Sequence, residues 1–254
     1  MSAGRLAVVG LGPGVPAWRS PEATARLSRA TDLVGYGPYL DLVGPLDPEP
    51  RRHASDNREE LDRAEHAFTL AADGADVVVV SSGDPGVFAM AAAVLERLET
   101  RTAVGAPAVE VTIVPGITAA SAAAARVGAP LGHDFCCISL SDVRKPWEIV
   151  ERRLIAAVSA DFVLALYNPA SRARPWQLGR AIELLREERA AATPVVLGRD
   201  VGRPDESVRV TTLGELDPTA VDMRTVVIVG SSTTRTFAEA DGRRWVYTPR
   251  DYPA

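Results

Sequence analysis

Three segments place glycine and proline together directly behind short aliphatic runs. They are Gly10-Leu-Gly-Pro-Gly14 behind residues 6–9, Ser81-Ser-Gly-Asp-Pro-Gly86 behind residues 77–80, and Pro115-Gly-Ile-Thr118 behind residues 111–114. Glycine at the end of a strand lets a ligand come against the backbone. Open α/β sheets bind their ligands beyond the carboxyl ends of the strands. Asp84 adds a carboxylate at a predicted helix N-terminus, where the helix dipole stabilises it. The chemistry these residue types suit is the binding of a small molecule at strand ends.

Several other chemistries are excluded by what the chain lacks. A dinucleotide fingerprint needs a third glycine where Val15 stands, Pro13 removes an amide, and Asp32 precedes its strand instead of following it. A nucleotide-dependent oxidoreductase is therefore a poor alternative, although it is the one from a different functional class. The only lysine is Lys145, between Arg144 and Pro146, so there is no phosphate-binding Gly-Lys-Ser/Thr loop. Schiff-base chemistry would depend on that same residue. His53, His66 and His133 are scattered, and adjacent Cys136 and Cys137 point to opposite faces of a strand, so no metal is expected. No Gly-x-Ser-x-Gly nucleophile elbow occurs. A net charge of −5 argues against nucleic acid. No apolar run nears the ~20 residues of a membrane span. Residues 1–10 run into a strand without a signal-peptide core, and two cysteines suit a reducing compartment, so a cytoplasmic protein is expected.

The elements that must position these loops alternate between strand-like and helix-like patterns, which predicts an α/β fold. Strands are predicted at residues 6–9, 33–36, 77–80 and 111–114 in the first half. Ser20-Pro21-Glu22 opens a helix with N-cap, proline and acid in order. Asn57 or Asp56 is expected to cap a helix whose stripe is Leu61, Ala64, Phe68 and Ala71, and another helix is expected directly after Gly86. The second half repeats the rhythm, with strands at 135–140, 162–167, 195–198, 208–211 and 226–229. A chain of 254 residues amounts to about 1.7 typical domains. With strands in both halves, the expected division is 1–117 and 118–254.

Taken in order, Val9-Gly-Leu-Gly-Pro-Gly14, Ser82-Gly-Asp-Pro-Gly86 and Val114-Pro-Gly-Ile-Thr-Ala-Ala120 resemble the motifs of the tetrapyrrole methylases, the class III S-adenosylmethionine-dependent methyltransferases. The resemblance covers essentially the whole chain. Gly35-Tyr-Gly-Pro-Tyr-Leu40, Gly128-Ala-Pro-Leu-Gly-His-Asp-Phe135, Ser139-Leu-Ser-Asp142 with Pro146-Trp-Glu148, Leu166-Tyr-Asn-Pro169, Arg174-Pro-Trp-Gln-Leu178, Val229-Gly-Ser-Ser-Thr-Thr-Arg235 and Thr248-Pro-Arg250 are similar to the branch that methylates ring carbon 17 of a cobalamin precursor and contracts its ring. Two departures are Phe88, where tyrosine is usual, and Ser121, where asparagine is common.

The resemblance implies two α/β domains, a mostly parallel N-terminal sheet and a mixed C-terminal sheet, with the active site in the cleft between them. It implies S-adenosyl-L-methionine as cofactor, leaving as S-adenosyl-L-homocysteine. The residues to hold it are Gly83, Asp84, Pro85, Val87, Phe88, Thr118, Ala119, Leu166, Tyr167, Gly230 and Ser231. The tetrapyrrole would meet Pro13, Tyr39, Arg172, Arg174 and Arg199, since arginine's planar fork suits its carboxylates. Proton handling during contraction falls to His133 with Asp134, and then to Tyr36 and Asp200. A homodimer without nucleic-acid or membrane partners is implied. A sibling methylase acting at another ring carbon is the nearest alternative; the branches acting on RNA ribose or protein histidine fit the acidic chain less well.

Overall fold

Residues 6–9 alternate between two apolar environments, and this period-2 pattern explains how the first half is layered. The computed structural model describes residues 4–56, 59–171 and 173–252. The chain divides into two compact units, Met1–Thr118 and Ala119–Ala254. In the first, strands β1 (Gly4–Gly10), β2 (Asp32–Tyr36), β3 (Arg51–Ser55), β4 (Asp76–Ser81) and β5 (Val109–Val114) form one sheet in the order β3-β2-β4-β1-β5. Every pairing in it is parallel. Leu6 and Val8 of β1 pack on one side with Ala64, Phe68 and Val94, while Ala7 and Val9 pack on the other with Ala23, Leu27 and Leu40.

The helices of this unit are α1 (Pro21–Leu27), α2 (Gly37–Asp41), α3 (Glu60–Ala72) and α4 (Met90–Ala103). Ser20 caps α1 as predicted, its Oγ accepting from the Ala23 amide at 3.1 Å. Other boundaries differ from the sequence reading. Asn57 lies outside the described residues, and α3 begins at Glu60, with the Glu59 carboxylate accepting from the Asp56 amide. Leu61, predicted for the apolar stripe, is exposed, and Ala67 takes its place in the core. Helix α4 starts at Met90, four residues beyond the turn, so Asp84 does not cap it.

Strand β3 had no aliphatic signal because it is a polar edge strand. A buried carboxylate holds it: Asp32, fully inaccessible, accepts from Arg51 Nη2 and pairs with His53 Nε2, each at 2.8 Å. Burial works to raise the Asp32 pKa, but the hydrogen bonds of Arg51, His53 and Thr31 outweigh it and the value falls below the usual one. The stability this depression provides is complete above the ordinary carboxylate pKa near 4 and is lost as pH falls through the lower folded value. Asp32→Asn is therefore expected to lower the melting temperature at pH 7 and to flatten its decline below pH 4. A variant whose acid limb is as steep as the wild type's would locate that sensitivity elsewhere.

The second unit contains α5 (Ala119–Val127), β6 (Gly128–Ala129), β7 (Phe135–Ser139), α6 (Trp147–Ser159), β8 (Val163–Tyr167), α7 (Gln177–Glu188), β9 (Pro194–Arg199), β10 (Ser207–Thr212), β11 (Thr225–Val229), β12 (Arg235–Ala238) and β13 (Arg244–Tyr247). The main sheet runs β10-β9-β11-β8-β7, and a small one runs β12-β13-β6. β7 and β8 are parallel, whereas β11 is antiparallel to both β8 and β9. Helices α6 and α7 supply Leu154, Leu178, Ile182 and Leu185 to one buried cluster. The alanines of α5 pack against β9, where Gly198 is required: a Cβ there would lie 2.5 Å from that of Ala123.

Candidate functional site

In the first unit the parallel arrangement brings the carboxyl ends of β1, β4 and β5 to one edge, and the three Gly/Pro loops touch there. The Gly12 amide donates to the Gly83 carbonyl at 3.1 Å, and the Gly83 amide donates to the Gly12 carbonyl at 2.8 Å. A Cβ on Gly10 would lie 2.7 Å from the Gly83 oxygen and the Gly116 nitrogen; one on Gly116 would lie 2.2 Å from that same oxygen. Gly83 has φ +69°, a left-handed conformation that side chains resist. Asp84 clasps two of the loops: Oδ1 accepts from the Gly86 amide at 2.8 Å and Oδ2 from the Gly116 amide at 3.0 Å. The carboxylate thus bridges loops and does not stand at the helix N-terminus where the sequence placed it. The loop backbones at this edge pack directly on one another, with the Pro85 ring and the Asp84 carboxylate beside them, so that no Cβ fits on Gly10 or Gly116.

Pro85 is buried next to Gly10, while Phe88 is half exposed and holds φ +53°. Val87 follows in the same turn, its amide bonded to the Asp84 carbonyl. Tyr36 ends β2 on this edge and stands edge-on to Tyr39, with ring centres 5.3 Å apart. Pro13 lies in the first loop, and Thr118 is the last residue of the unit.

In the second unit the expected residues separate into two groups. The carboxyl ends of β8 and β9 meet the amino end of β11 at one edge of the main sheet, since Arg199 pairs with Thr225 and Leu166 with Val227. Leu166, Tyr167, Arg199 and Asp200 gather there. The Tyr167 hydroxyl accepts from the Ala120 amide at 3.0 Å and so anchors the first turn of α5, which Ala119 opens. Arg174 sits beside this edge, mostly covered, with Nη1 3.9 Å from Asp142 and Nη2 3.7 Å from Met223 Sδ. Arg172 lies outside the described residues.

His133, Asp134, Gly230 and Ser231 lie at the other edge. Val229 pairs with Leu164 near the start of β8, and the Asp134 carbonyl accepts from Val163 at that strand's first residue. The length of β8, at about 3.3 Å per residue, separates them from Tyr167. Their polar groups are also engaged locally. The Gly230 amide bonds to Pro194, the Ser231 amide to Thr234 Oγ1 at 2.8 Å, and His133 Nδ1 accepts from the Asp134 amide at 2.7 Å. These four residues thus stand at the edge of the main sheet opposite Tyr167 and Asp200.

Asp200 is corrected in role. Its side chain is 3% exposed, with guanidinium nitrogens of Arg199 and Arg224 at 3.2 Å and of Arg203 at 3.7 Å. Burial raises its pKa against the pull of Arg199 and Arg203. Enclosed by three cations, it organises arginines instead of reaching a ligand. Sequence reasoning missed Arg224 because it stands before a strand, in Asp222-Met-Arg-Thr225, with no glycine to signal it. The thiols are unsuited to nucleophilic work: burial, with some help from Cys137, pushes Cys136 up to about 11. Among the described residues no cluster of three or more His, Cys, Asp or Glu is arranged to hold a metal.

Comparison with known proteins decides the family. The model for Tetrapyrrole (Corrin/Porphyrin) Methylases matches residues 5–217. The chain belongs to the tetrapyrrole methylase family. Among its relatives, the Precorrin-3B C(17)-methyltransferase of a Sinorhizobium species is 56% identical, over 98% of this chain and 97% of the relative. The Cobalamin biosynthesis protein CobIJ of Mycobacterium tuberculosis is 53% identical over 98% of this chain, which spans about half, 49%, of that longer protein. Among solved structures, the methyltransferase CobJ superposes with a TM-score of 0.89 at 50% identity, covering 97% of this chain and 100% of that one. Uroporphyrin-III C-methyl transferase from Thermus thermophilus, complexed with S-adenyl homocysteine, shares the fold at a TM-score of 0.64 and 21% identity, covering 89% of this chain and 97% of that one. The tetrapyrrole methylase family uses S-adenosylmethionine, and nothing in these comparisons supports the oxidoreductase alternative.

Proposed function

We propose that this tetrapyrrole methylase transfers a methyl group from S-adenosyl-L-methionine to carbon 17 of precorrin-3B, with ring contraction to precorrin-4, in cobalamin biosynthesis. The observation that carries the reading is the 56% identity to the Sinorhizobium precorrin-3B C(17)-methyltransferase, spread over nearly the full length of both chains. Gly10, Gly83 and Gly116 bring three loops together at the carboxyl ends of parallel strands, the edge at which α/β sheets bind their ligands. Bound there, S-adenosylmethionine supplies an already activated sulfonium methyl, so the residues contribute mainly alignment and exclusion of water. Gly83, Asp84, Pro85, Val87, Phe88 and Thr118 are the proposed contacts from the first unit, with Ala119, Leu166 and Tyr167 from the second. Pro13, Tyr39, Arg174 and Arg199 are the proposed tetrapyrrole contacts.

Incubation with S-adenosylmethionine and precorrin-3B, followed by mass and NMR analysis, tests the reading. The expected product carries one new methyl at carbon 17 and a contracted ring with an acetyl group at the extruded carbon. A methyl at another carbon would make the protein a sibling enzyme; no methylation would remove the reading.

Tyr36 is the proposed proton-handling group, since it stands at the same edge as the glycine loops. Contraction releases a proton from a ring hydroxyl as the carbon skeleton migrates, and the Tyr36 phenol is proposed to relay it, accepting that proton while passing its own to solvent. Tyr36→Phe is expected to bind both ligands and still methylate, but to accumulate uncontracted macrocycle at least tenfold over wild type. Normal yield of contracted product from that variant would remove Tyr36 from the step. The homodimer and the cytoplasmic location belong to the same proposal; light scattering checks the first. Among the described residues no helix is long and apolar enough to cross a membrane.

A further inference from the structure

At the β8–β9 edge of the second unit's main sheet lies an open cavity of about 470 Å³. Its apolar lining is Pro175, Pro218, Val221 and Met223, and Asp222 and Arg224 line it as well. The size falls within the range of small-molecule sites, and an apolar lining with few convergent polar groups is their usual composition. The arginine is fixed in place. Arg224 Nη1 is 3.2 Å from Asp200 and Nε is 3.6 Å from Asp222, while half of the side chain remains exposed.

The two carboxylates are themselves committed. Asp222 Oδ2 accepts from Arg199 Nε at 3.0 Å, and Oδ1 accepts from the Arg224 amide and from Thr225 Oγ1, each at 3.0 Å. Asp200 is buried beneath Arg199, Arg203 and Arg224. Asp200 and Asp222, with Asp205 near enough to act on both Asp200 and Arg199, thus balance three guanidinium groups and fix their positions. Arg224's ion pairs use one terminal nitrogen and Nε, and the other terminal nitrogen completes a planar donor edge suited to a carboxylate.

We propose that this cavity receives one pyrrole edge of the tetrapyrrole and its carboxylate-bearing arm, with Arg224 as the anchor for that carboxylate. The inference rests on the proposed function and names a subsite for the substrate. The apolar lining takes the ring edge and the arm's methylenes. Asp200 and Asp222 are positioning residues that hold the guanidinium in place.

Three variants test it: Arg224→Met, Arg224→Lys and Met223→Trp, the last filling the cavity. For each, KM and kcat with precorrin-3B, the Kd for S-adenosylmethionine by calorimetry, and the melting temperature are measured. Arg224→Met is expected to raise KM roughly 10- to 100-fold, the range of a lost charge-assisted hydrogen bond. Arg224→Lys should recover part of that loss, since charge is kept and the planar fork is not. Met223→Trp is expected to raise KM about tenfold or more. In all three the cofactor Kd should stay within about twofold. Unchanged KM in folded variants, with the wild type turning over, would overturn the subsite and leave the proposed function standing. So would an equal weakening of cofactor binding. Absence of turnover by the wild type would remove the function and the subsite together.

Discussion

Gly116→Ala is expected to abolish S-adenosylmethionine binding in calorimetric titration while the second unit stays folded. The added Cβ would lie 2.2 Å from the Gly83 oxygen and 3.0 Å from Gly10, both backbone atoms that cannot swing aside. The loops after β4 and β5 must separate, and the Asp84 contact with the Gly116 amide breaks with them. Leaving those carboxylate and amide groups unpaired adds roughly 1–3 kcal/mol to the distortion. Gly179→Ala is the control: its Cβ meets only Pro218, at 3.9 Å, and alanine in a helix gains about 0.5–1 kcal/mol over glycine. Full cofactor affinity in Gly116→Ala would mean that the strand-end loops are not the binding site. Parallel loss in the control would mark the assay, not the loop.

The second large effect concerns stability. Asp161→Ala is expected to cost roughly 3–5 kcal/mol, because it strands the guanidinium of Arg189, whose side chain is 3% exposed. The same carboxylate accepts from the Ser232 amide at 2.9 Å, from Ser232 Oγ and from the Tyr252 hydroxyl at 2.8 Å. For a protein of this size the melting temperature should fall by about 6–20 °C. Burial works to raise the Asp161 pKa, but the contacts from Ser232 and Tyr252 and the charge of Arg189 lower it overall. The stability gained is complete above the ordinary aspartate pKa and disappears as pH drops through the folded value. Arg189→Met combined with Asp161→Ala should restore most of the loss, since an apolar pair replaces a buried ion pair at little cost. A double variant as unstable as the single one would show that the hydrogen bonds to Ser232 and Tyr252 dominate instead.

Much of the fold was legible because aliphatic runs at residues 77–80, 163–166 and 226–229 are buried on both faces and therefore continuous in sequence. Strand β3 was not: Arg51, Arg52 and His53 carry no apolar signal, and the distant carboxylate of Asp32 holds Arg51 and His53. β12 was invisible for a similar reason, since all four of its residues are exposed. The site was half legible. In an all-parallel sheet every strand ends at one edge, so glycines behind β1, β4 and β5 identify that edge correctly. Gly230 and Ser231 follow a strand as well, but β11 runs antiparallel and carries its carboxyl end to the edge opposite that of β8. Strand direction depends on connections that residue spacing does not encode, and Arg224, at the amino end of β11, was missed for that reason.

The position of β1 has a consequence for how the protein is made. β1 lies between β4 and β5, and Gly4 pairs with Val109, about 100 residues later in the chain. At a synthesis rate of about 5–20 residues per second, β1 waits roughly 5–20 s on the ribosome for its last neighbour. During that interval one side of its hydrogen-bonding edge is open, which is the state in which strands pair with the wrong chain. Slow, long-range parallel pairing of this kind is also the slowest class of sheet assembly. Yield in a heterologous host should therefore respond to translation speed and chaperone supply more strongly for the first unit's sheet than for the second unit's main sheet, whose β7–β8 pairing closes within about 30 residues.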